Sequence, residues 1–141
     1  MRKIAALLIA VPLGAATTPT STLQIEVSGL RNSRGFIHAC LTAKPAHFPD
    51  CQSDPAGLTA SVPSNAREIV FRDVPPGRYA LAVFHDANAN RRLDTFMGIP
   101  REGFGFSRNP VIRFGAPRFN QVDIDLAAGF TRTSVKLQYL L

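Results

Sequence analysis

The stretch that decides the fold is residues 74–86, which read VPPGRYALAVFHD. Two prolines and a glycine indicate a turn, and we predict that Gly77 has the positive φ of a type II turn. After the turn, Tyr79, Leu81 and Val83 alternate with other residues, which is the period of a strand with one buried face. Two alanines lie on the other face, and their small size predicts that another part of the chain packs closely over it.

The same alternation marks segments on both sides of this strand. We predict six strands, or seven with a short edge strand at 58–62, separated by turns rich in glycine and proline. The six comprise residues 23–28, 35–41, 68–74, 78–85, 119–126 and 132–140. No segment of useful length has helical periodicity. The pattern therefore predicts an all-β fold, a single antiparallel β-sandwich of immunoglobulin-like or transthyretin-like type formed by residues 17–141.

Residues 1–16 are typical of a signal peptide. Arg2 and Lys3 form a positive start, residues 4–11 form a short apolar run, and small residues precede a predicted cleavage after Ala16. A spanning helix needs about 20 apolar residues, so we expect no transmembrane segment after cleavage. The mature protein is then periplasmic or secreted, and its net charge falls from +6 to +4.

The remaining arginines are spread along the mature chain. Nucleic-acid-binding domains usually combine a basic cluster with interleaved aromatic residues, so we expect no nucleic-acid partner. Solvated surface charge accounts for the arginines, with weak attraction to anionic lipid or polysaccharide as the alternative. We expect a monomer whose partner is an envelope protein or a glycan.

Cys40 and Cys51 are the only cysteines in the sequence. In an oxidising compartment such a pair predicts a disulfide. Closing this loop would contribute about 3 kcal/mol through chain entropy. The alternative is a metal site that adds His38 and His47 to the two sulfurs, but the spacing matches no familiar zinc pattern.

Residues 86–118 have little strand signal, and loops of this length in a compact domain are usually functional or disordered. Their apolar content argues against disorder. We expect this Phe-rich loop to cap one end or edge of the sandwich. The alternative is a ligand pocket under the loop, lined by Arg101, Phe104 and Phe106, with His85 as a further candidate ligand-binding residue.

The segment begins with residues 86–94, DANANRRLD, whose oxygen-bearing side chains alternate as in the first part of a calcium loop. The candidate ligands are the side chains of Asp86, Asn88, Asn90 and Asp94 and the carbonyl oxygen of Arg92. Arginine stands at the usual glycine position and methionine at that of the bidentate glutamate, so we expect a Kd no tighter than about 10⁻⁴ to 10⁻³ M. The alternative is a self-bonded turn, in which Asp and Asn side chains satisfy nearby amides.

His85 and Asp86 have the chemistry of an acid–base pair at the end of a strand. Neighbouring residues of a strand point to opposite faces, however, so the two are poorly placed to act together. The sequence contains no nucleophile elbow, paired metal histidines or phosphate loop. A hydrogen-bonded structural histidine is the simpler interpretation of His85.

Several motifs together resemble an exported bacterial family, the domain-of-unknown-function family 2141. These motifs are VSGL at 27–30, VPPGRYA at 74–80, VFHDANAN at 83–90, LD at 93–94 and GIPREGFGFS at 98–107. Arg91 departs from the family pattern, which usually has glycine after the second asparagine. The resemblance implies export and this fold but no activity. The Pro-Pro-Gly-x-Tyr turn is also similar to that of transthyretin-like and carboxypeptidase-regulatory-like sandwiches, which are accessory modules.

These patterns lead to three hypotheses for function. The first is a non-enzymatic envelope module that binds a partner through the face formed by residues 86–118. The second is a binding protein for a small apolar or anionic molecule. The third, with the least support, is a hydrolase that uses His85.

Overall fold

The computed structural model describes residues 9–141, so residues 1–8 of the expected signal peptide lie outside the described part of the chain. Residues 9–20 are exposed and form no helix or strand. Within residues 9–141, no helix is long and apolar enough to cross a membrane.

Residues 21–136 form ten strands, one short α-helix and two 3-10 helices, the last two at Pro45–His47 and Cys51–Ser53. Their bounds are β1 Ser21–Ser28, β2 Phe36–Thr42, β3 Leu58–Pro63, β4 Glu68–Val74, β5 Gly77–Asp86, β6 Thr95–Phe96, β7 Ile99–Pro100, β8 Phe104–Phe106, α1 Phe119–Val122, β9 Ile124–Leu126 and β10 Gly129–Lys136. The all-β prediction is confirmed. The predicted number of strands, six to seven, is too low, because β6, β7 and β8 are too short to show an alternating pattern.

Two sheets share one core. The first sheet has the order β10-β1-β4, and the second has the order β3-β2-β5-β8, with β9 paired to the first residues of β5. The core is a cluster of buried side chains from both sheets, with partly buried neighbours around it. Its buried members are Leu23, Ile25, Val27, Ile37, Ala39, Leu41, Ile69, Phe71, Val74, Tyr79, Leu81, Val83, Leu126, Val135 and Leu137.

One strand pair departs from the predicted antiparallel arrangement. Strand β10 lies parallel to β1, from Ser21 opposite Gly129 to Ser28 opposite Lys136. The reason is the direction of entry: after β9 the chain changes sheets, and the Gly129 N–H donates to the Thr20 carbonyl at 3.0 Å. Since β10 enters beside the start of β1, both strands run the same way.

The prediction of one strand over residues 119–126 is also wrong in its first half. Residues Phe119–Val122 form a helical turn, which the Asp123 N–H closes by donating to the Phe119 carbonyl at 2.9 Å. A helical turn brings residues three apart to the same side, so Phe119 and Val122 pack into the same cluster. In a strand these two side chains would point to opposite faces.

The predicted turn after β4 forms with different backbone angles. Asp73 has the positive φ, 56°, and Gly77 is not among the glycines with positive φ. The type II assignment at Gly77 is therefore wrong, although the turn itself and strand β5 lie where they were predicted.

A second hydrophobic cluster covers the outer face of the second sheet. Ala80, Phe104, Phe106 and Val122 are its buried members, and Ala82 packs against them. This confirms the prediction that the small residues of β5 are closely covered. The covering side chains come from β8 and α1, so the predicted loop is packed onto the sandwich over part of its length.

Cys40 and Cys51 form the expected disulfide, with Cα atoms 6.0 Å apart, a separation that disulfides commonly span. The two histidines of the alternative metal site bond elsewhere. His47 contacts the Ser53 hydroxyl at 3.0 Å, and His38 contacts Ser61 and Asp86.

Candidate binding surface

The segment 86–118 divides into parts with opposite exposure. Residues 95–100 form the hairpin, β6 and β7, which is mostly exposed. Residues 102–107 form the buried stretch, in which all six residues are buried. Residues 108–118 form the exposed loop, which includes a nearly fully exposed Phe114. The binding surface we consider consists of the hairpin and the exposed loop.

Asp86 anchors the beginning of the segment. Its side chain is 0% exposed, and it accepts hydrogen bonds from the backbone N–H of Asn90 at 3.1 Å and of Arg91 at 2.8 Å. A third bond comes from His38 Nε2 at 2.8 Å. Burial alone would raise the pKa of Asp86, but these three hydrogen bonds hold it below its ordinary value. The buried carboxylate therefore ties the turn to β2.

His38 is a residue whose role the sequence did not indicate beyond the metal alternative. Its Nε2 lies 2.8 Å from the Asp86 carboxylate, and its Nδ1 lies 2.7 Å from the Ser61 hydroxyl. Serine, histidine and aspartate in this order resemble a hydrolase triad, but the carboxylate binds Nε2 rather than the Nδ1 of that arrangement. Ser61 is the direct cross-strand partner of His38, so β-sheet register accounts for the contact.

The polar loop at 86–94 bonds to itself. The side-chain amides of Asn88 and Asn90 donate to the Asp94 carboxylate at 2.7 and 2.8 Å. The Asn90 side-chain oxygen accepts from the Arg92 N–H at 2.9 Å. Among residues 9–141, no three His, Cys, Asp or Glu side chains form a group that would hold a metal ion. The geometry is that of the self-bonded turn, so we favour this alternative over a calcium site.

Glu102 closes the base of the hairpin, which the sequence did not predict. It is 9% exposed, and its Oε2 accepts from the Asp94 N–H at 3.1 Å. Burial raises the pKa of Glu102. The Arg101 N–H donates to the Asp94 carbonyl at 2.8 Å. The one sequence signal for this contact is a second acid eight residues after Asp94. The alternation of apolar residues does not predict that the two acids meet.

The structure buries three of the four predicted ligand-binding residues. Phe104 and Phe106 are each 7% exposed within the second cluster. His85 is buried, with its Nδ1 at 2.9 Å from the Tyr139 hydroxyl and its Nε2 at 2.8 Å from the Arg34 carbonyl oxygen. Arg101 is exposed. A shallow hollow in the exposed loop is lined by residues 110–117 and Gln121, and none of the four borders it.

Two glycines explain how the buried stretch approaches the sandwich so closely. A Cβ at Gly105 would lie 2.6 Å from Val135 Cγ1 and 2.9 Å from the Lys136 carbonyl oxygen. A Cβ at Gly103 would lie 2.5 Å from the Tyr139 ring. Since real Cβ atoms do not approach neighbours at these distances, the stretch packs at this depth only with glycine at both positions.

A family model described as an uncharacterized protein conserved in bacteria (DUF2141) matches residues 25–134. The match spans most of the chain, so the chain belongs to this family, as the motifs indicated. No curated protein and no solved structure matches the chain.

Proposed function

We propose that this member of the DUF2141 family is an exported, non-enzymatic module of the cell envelope that binds a partner through residues 86–118. The observation that carries the proposal is the contrast within this segment. Its base is anchored by buried carboxylates, and its middle is packed into the sandwich. The hairpin and the exposed loop nevertheless present apolar side chains to solvent.

The exposed apolar residues of the domain are concentrated in this segment. Ten large hydrophobic side chains are exposed between residues 21 and 141, and six of them belong to residues 86–118. These six are Leu93, Phe96, Met97, Ile99, Val111 and Phe114. Exposed apolar side chains mark interaction sites when they lie close together, as the three on the hairpin do, so this concentration supports a binding role.

Charge distinguishes the same segment. Residues 86–118 contain six arginines and three acids, a net charge of +3. All six arginines are exposed, whereas Asp86 and Glu102 are buried. The surface of the segment is therefore cationic, which favours an anionic partner.

The buried residues favour a binding surface over the two alternatives. Phe104 and Phe106 fill the second cluster, so the phenylalanines of the predicted pocket are occupied by packing. Both ring nitrogens of His85 are engaged by protein groups, which leaves neither free for acid–base chemistry. Export is supported by the charged and apolar start of the sequence and by the disulfide pair.

Photo-cross-linking in the bacterial host tests the binding surface. A photoreactive phenylalanine analogue is placed at Met97 or Phe114, with Phe130, an exposed residue of β10, as the control position. We expect adducts with an envelope component from positions 97 and 114 and none from position 130. Equal adducts at all three positions, or none at 97 and 114, would overturn the proposal.

Fractionation of the same host tests export. We expect osmotic shock to release the protein and mass spectrometry to read Thr17 as its first residue. A protein that stays with the cytoplasm and retains residues 1–16 would exclude an envelope role.

A further inference from the structure

The hairpin holds three apolar side chains in solvent. Phe96, Met97 and Ile99 are 57%, 86% and 42% exposed. Its turn has Met97 and Gly98 at φ 51° and 78°, the positive values of a tight type I′ hairpin turn. Gly, Asn and Asp favour these positions. Methionine there carries a conformational cost, and its exposed side chain does not offset that cost by packing within the domain.

The hairpin is held in this position at its base. The Arg101 N–H donates to the Asp94 carbonyl, and the Asp94 N–H donates to Glu102 at 3.1 Å. Just beyond, the His85 N–H donates to the Gly103 carbonyl at 2.8 Å. Within residues 9–141, β6 and β7 pair only with each other. These bonds close the base of the hairpin beside the end of β5, and the apolar side chains of the tip lie in solvent.

Arginines flank the apolar tip on both sides along the chain. Arg91 and Arg92 precede it, Arg101 follows it, and all three are exposed. Of the nearby acids, Glu102 is buried, and Asp94 accepts the amides of two asparagines. An apolar tip among exposed cations matches an anionic lipid surface, where apolar groups enter the acyl boundary and guanidinium groups contact phosphates.

The same features fit a protein partner less well. A stable protein interface buries about 800 Å² on each partner, and charged residues are depleted at its centre. The hairpin offers three apolar side chains on strands of two residues each, flanked by arginines. This surface is narrow for a protein partner and suited to the boundary between headgroups and acyl chains.

We propose that the hairpin docks on a bilayer containing anionic phospholipid, with Phe96 and Met97 inserted and Arg91, Arg92 and Arg101 on the headgroups. This inference rests on the proposed function, because it names the partner of the same segment.

Tryptophan fluorescence measures insertion directly, because the chain contains no tryptophan. Phe96→Trp places a single reporter in the hairpin, and Phe130→Trp places a matched reporter on β10, where the native side chain is 61% exposed. The protein is purified from its host and its N-terminus read by mass spectrometry. With vesicles of three parts phosphatidylcholine to one part phosphatidylglycerol, we expect a blue shift and quenching by brominated lipid for F96W only. A response from both reporters, or from neither, would overturn the proposal.

Vesicle sedimentation separates the apolar and charged contributions. Met97→Ser should lower the partition coefficient roughly tenfold, since it removes an inserted apolar side chain. Arg101→Ala should lower it roughly fivefold, and Arg72→Ala, an exposed arginine of β4, should leave it unchanged. Equal binding to phosphatidylcholine alone, or an unchanged M97S variant with an unaltered unfolding midpoint, would contradict the docking.

The two proposals fail in different ways. Cross-links from position 114 to a protein or glycan, without vesicle binding, would overturn bilayer docking and leave the proposed binding surface supported. No adducts at positions 97 and 114, together with no vesicle binding, would overturn both.

Discussion

The hairpin and the buried stretch are neighbours in sequence and similar in composition, yet one is exposed and the other buried. Each contains phenylalanine and glycine, and Arg101 alone separates residues 95–100 from 102–107. Phe96 is 57% exposed and Phe106 is 7% exposed. Hydrophobicity does not distinguish the two parts. The difference in burial must therefore come from the strands with which each backbone can pair and pack.

The backbone partners of the two parts differ accordingly. In the buried stretch, the Phe104 N–H donates to the Gln138 carbonyl at 3.0 Å, and the Gln138 N–H donates back to Phe104 at 2.8 Å. Strand β8 also pairs with β5, and Gly105 lies directly against β10. The hairpin pairs only with itself in the region the structure describes. Long-range backbone pairing, made accessible by glycine, therefore decides which phenylalanines join the core.

The comparison is tested most strongly by shortening one phenylalanine in each part. Phe106→Ala should lower the free energy of unfolding by about 3–5 kcal/mol, because it leaves a cavity in the second cluster. Phe96→Ala should change it by less than about 0.5 kcal/mol, because its side chain is largely in water already. Urea unfolding measures both. Similar losses for the two variants would show that the hairpin is packed rather than exposed.

The role of glycine is tested by adding one methyl group. Gly105→Ala should cost about 1–3 kcal/mol through overpacking, toward the upper end because the Lys136 carbonyl is backbone. Gly77→Ala is the matched control in β5, where the nearest neighbour of a new Cβ is the Tyr79 ring at 3.4 Å. The urea midpoints of unfolding of the two variants are compared with that of the wild type. If G105A is as stable as G77A, close approach does not explain the burial of β8.

Most of the sandwich could be predicted because alternation reports burial in a sheet. Leu81 and Val83 lie in the core as expected, and so does Leu137. The helical turn at 119–122 could not be predicted, because one turn is too short to show a helical period. Only the structure shows that Phe119 and Val122 pack into the same cluster. The parallel placement of β10 depends on a change of sheet, which no local pattern reveals.

The candidate site could be predicted as a segment but not in its contacts. Apolar residues in a long loop indicated where to look. The bond between His38 and Asp86 depends on the register of β2 against β5, in which Phe36 lies opposite Asp86. The contact of Glu102 with Asp94 depends on the hairpin between them. Both are tertiary consequences, which residue type and spacing do not encode.

The anchoring of the exposed part is tested at Asp86. Asp86→Asn replaces a carboxylate that accepts three hydrogen bonds. We expect it to lower the free energy of unfolding by about 1.5 kcal/mol at pH 7. The folded-state pKa of Asp86 is below its ordinary value of 3.8. Its contribution is therefore fully present above that value and is lost as the pH falls through the folded-state pKa.

Thermal unfolding at pH 7 and pH 3 tests whether the stability contribution of Asp86 decreases as the pH falls. The stability difference between the wild type and D86N should narrow at pH 3. The raised pKa of Glu102 acts in the opposite direction, since its contribution is present below its ordinary value of 4.5 and is lost as the pH rises. Because the charge of Asp86 contributes to that raised pKa, the comparison is made with Glu102→Gln present in both proteins. Asp125→Asn, at an exposed acid, is the control. The same stability difference between the wild type and D86N at both pH values would contradict the lowered pKa of Asp86.

The smallest effect that we expect concerns calcium at the base of the hairpin. The amides of Asn88 and Asn90 already donate to Asp94, so a cation would have to displace donors that the turn uses to close itself. Two adjacent arginines would also repel it. We therefore expect the unfolding temperature measured in 5 mM calcium to equal that measured in EDTA, within measurement error. A rise that Asp94→Asn abolishes would show instead that the polar loop rearranges around a cation, and that the hairpin is anchored by a metal rather than by hydrogen bonds alone.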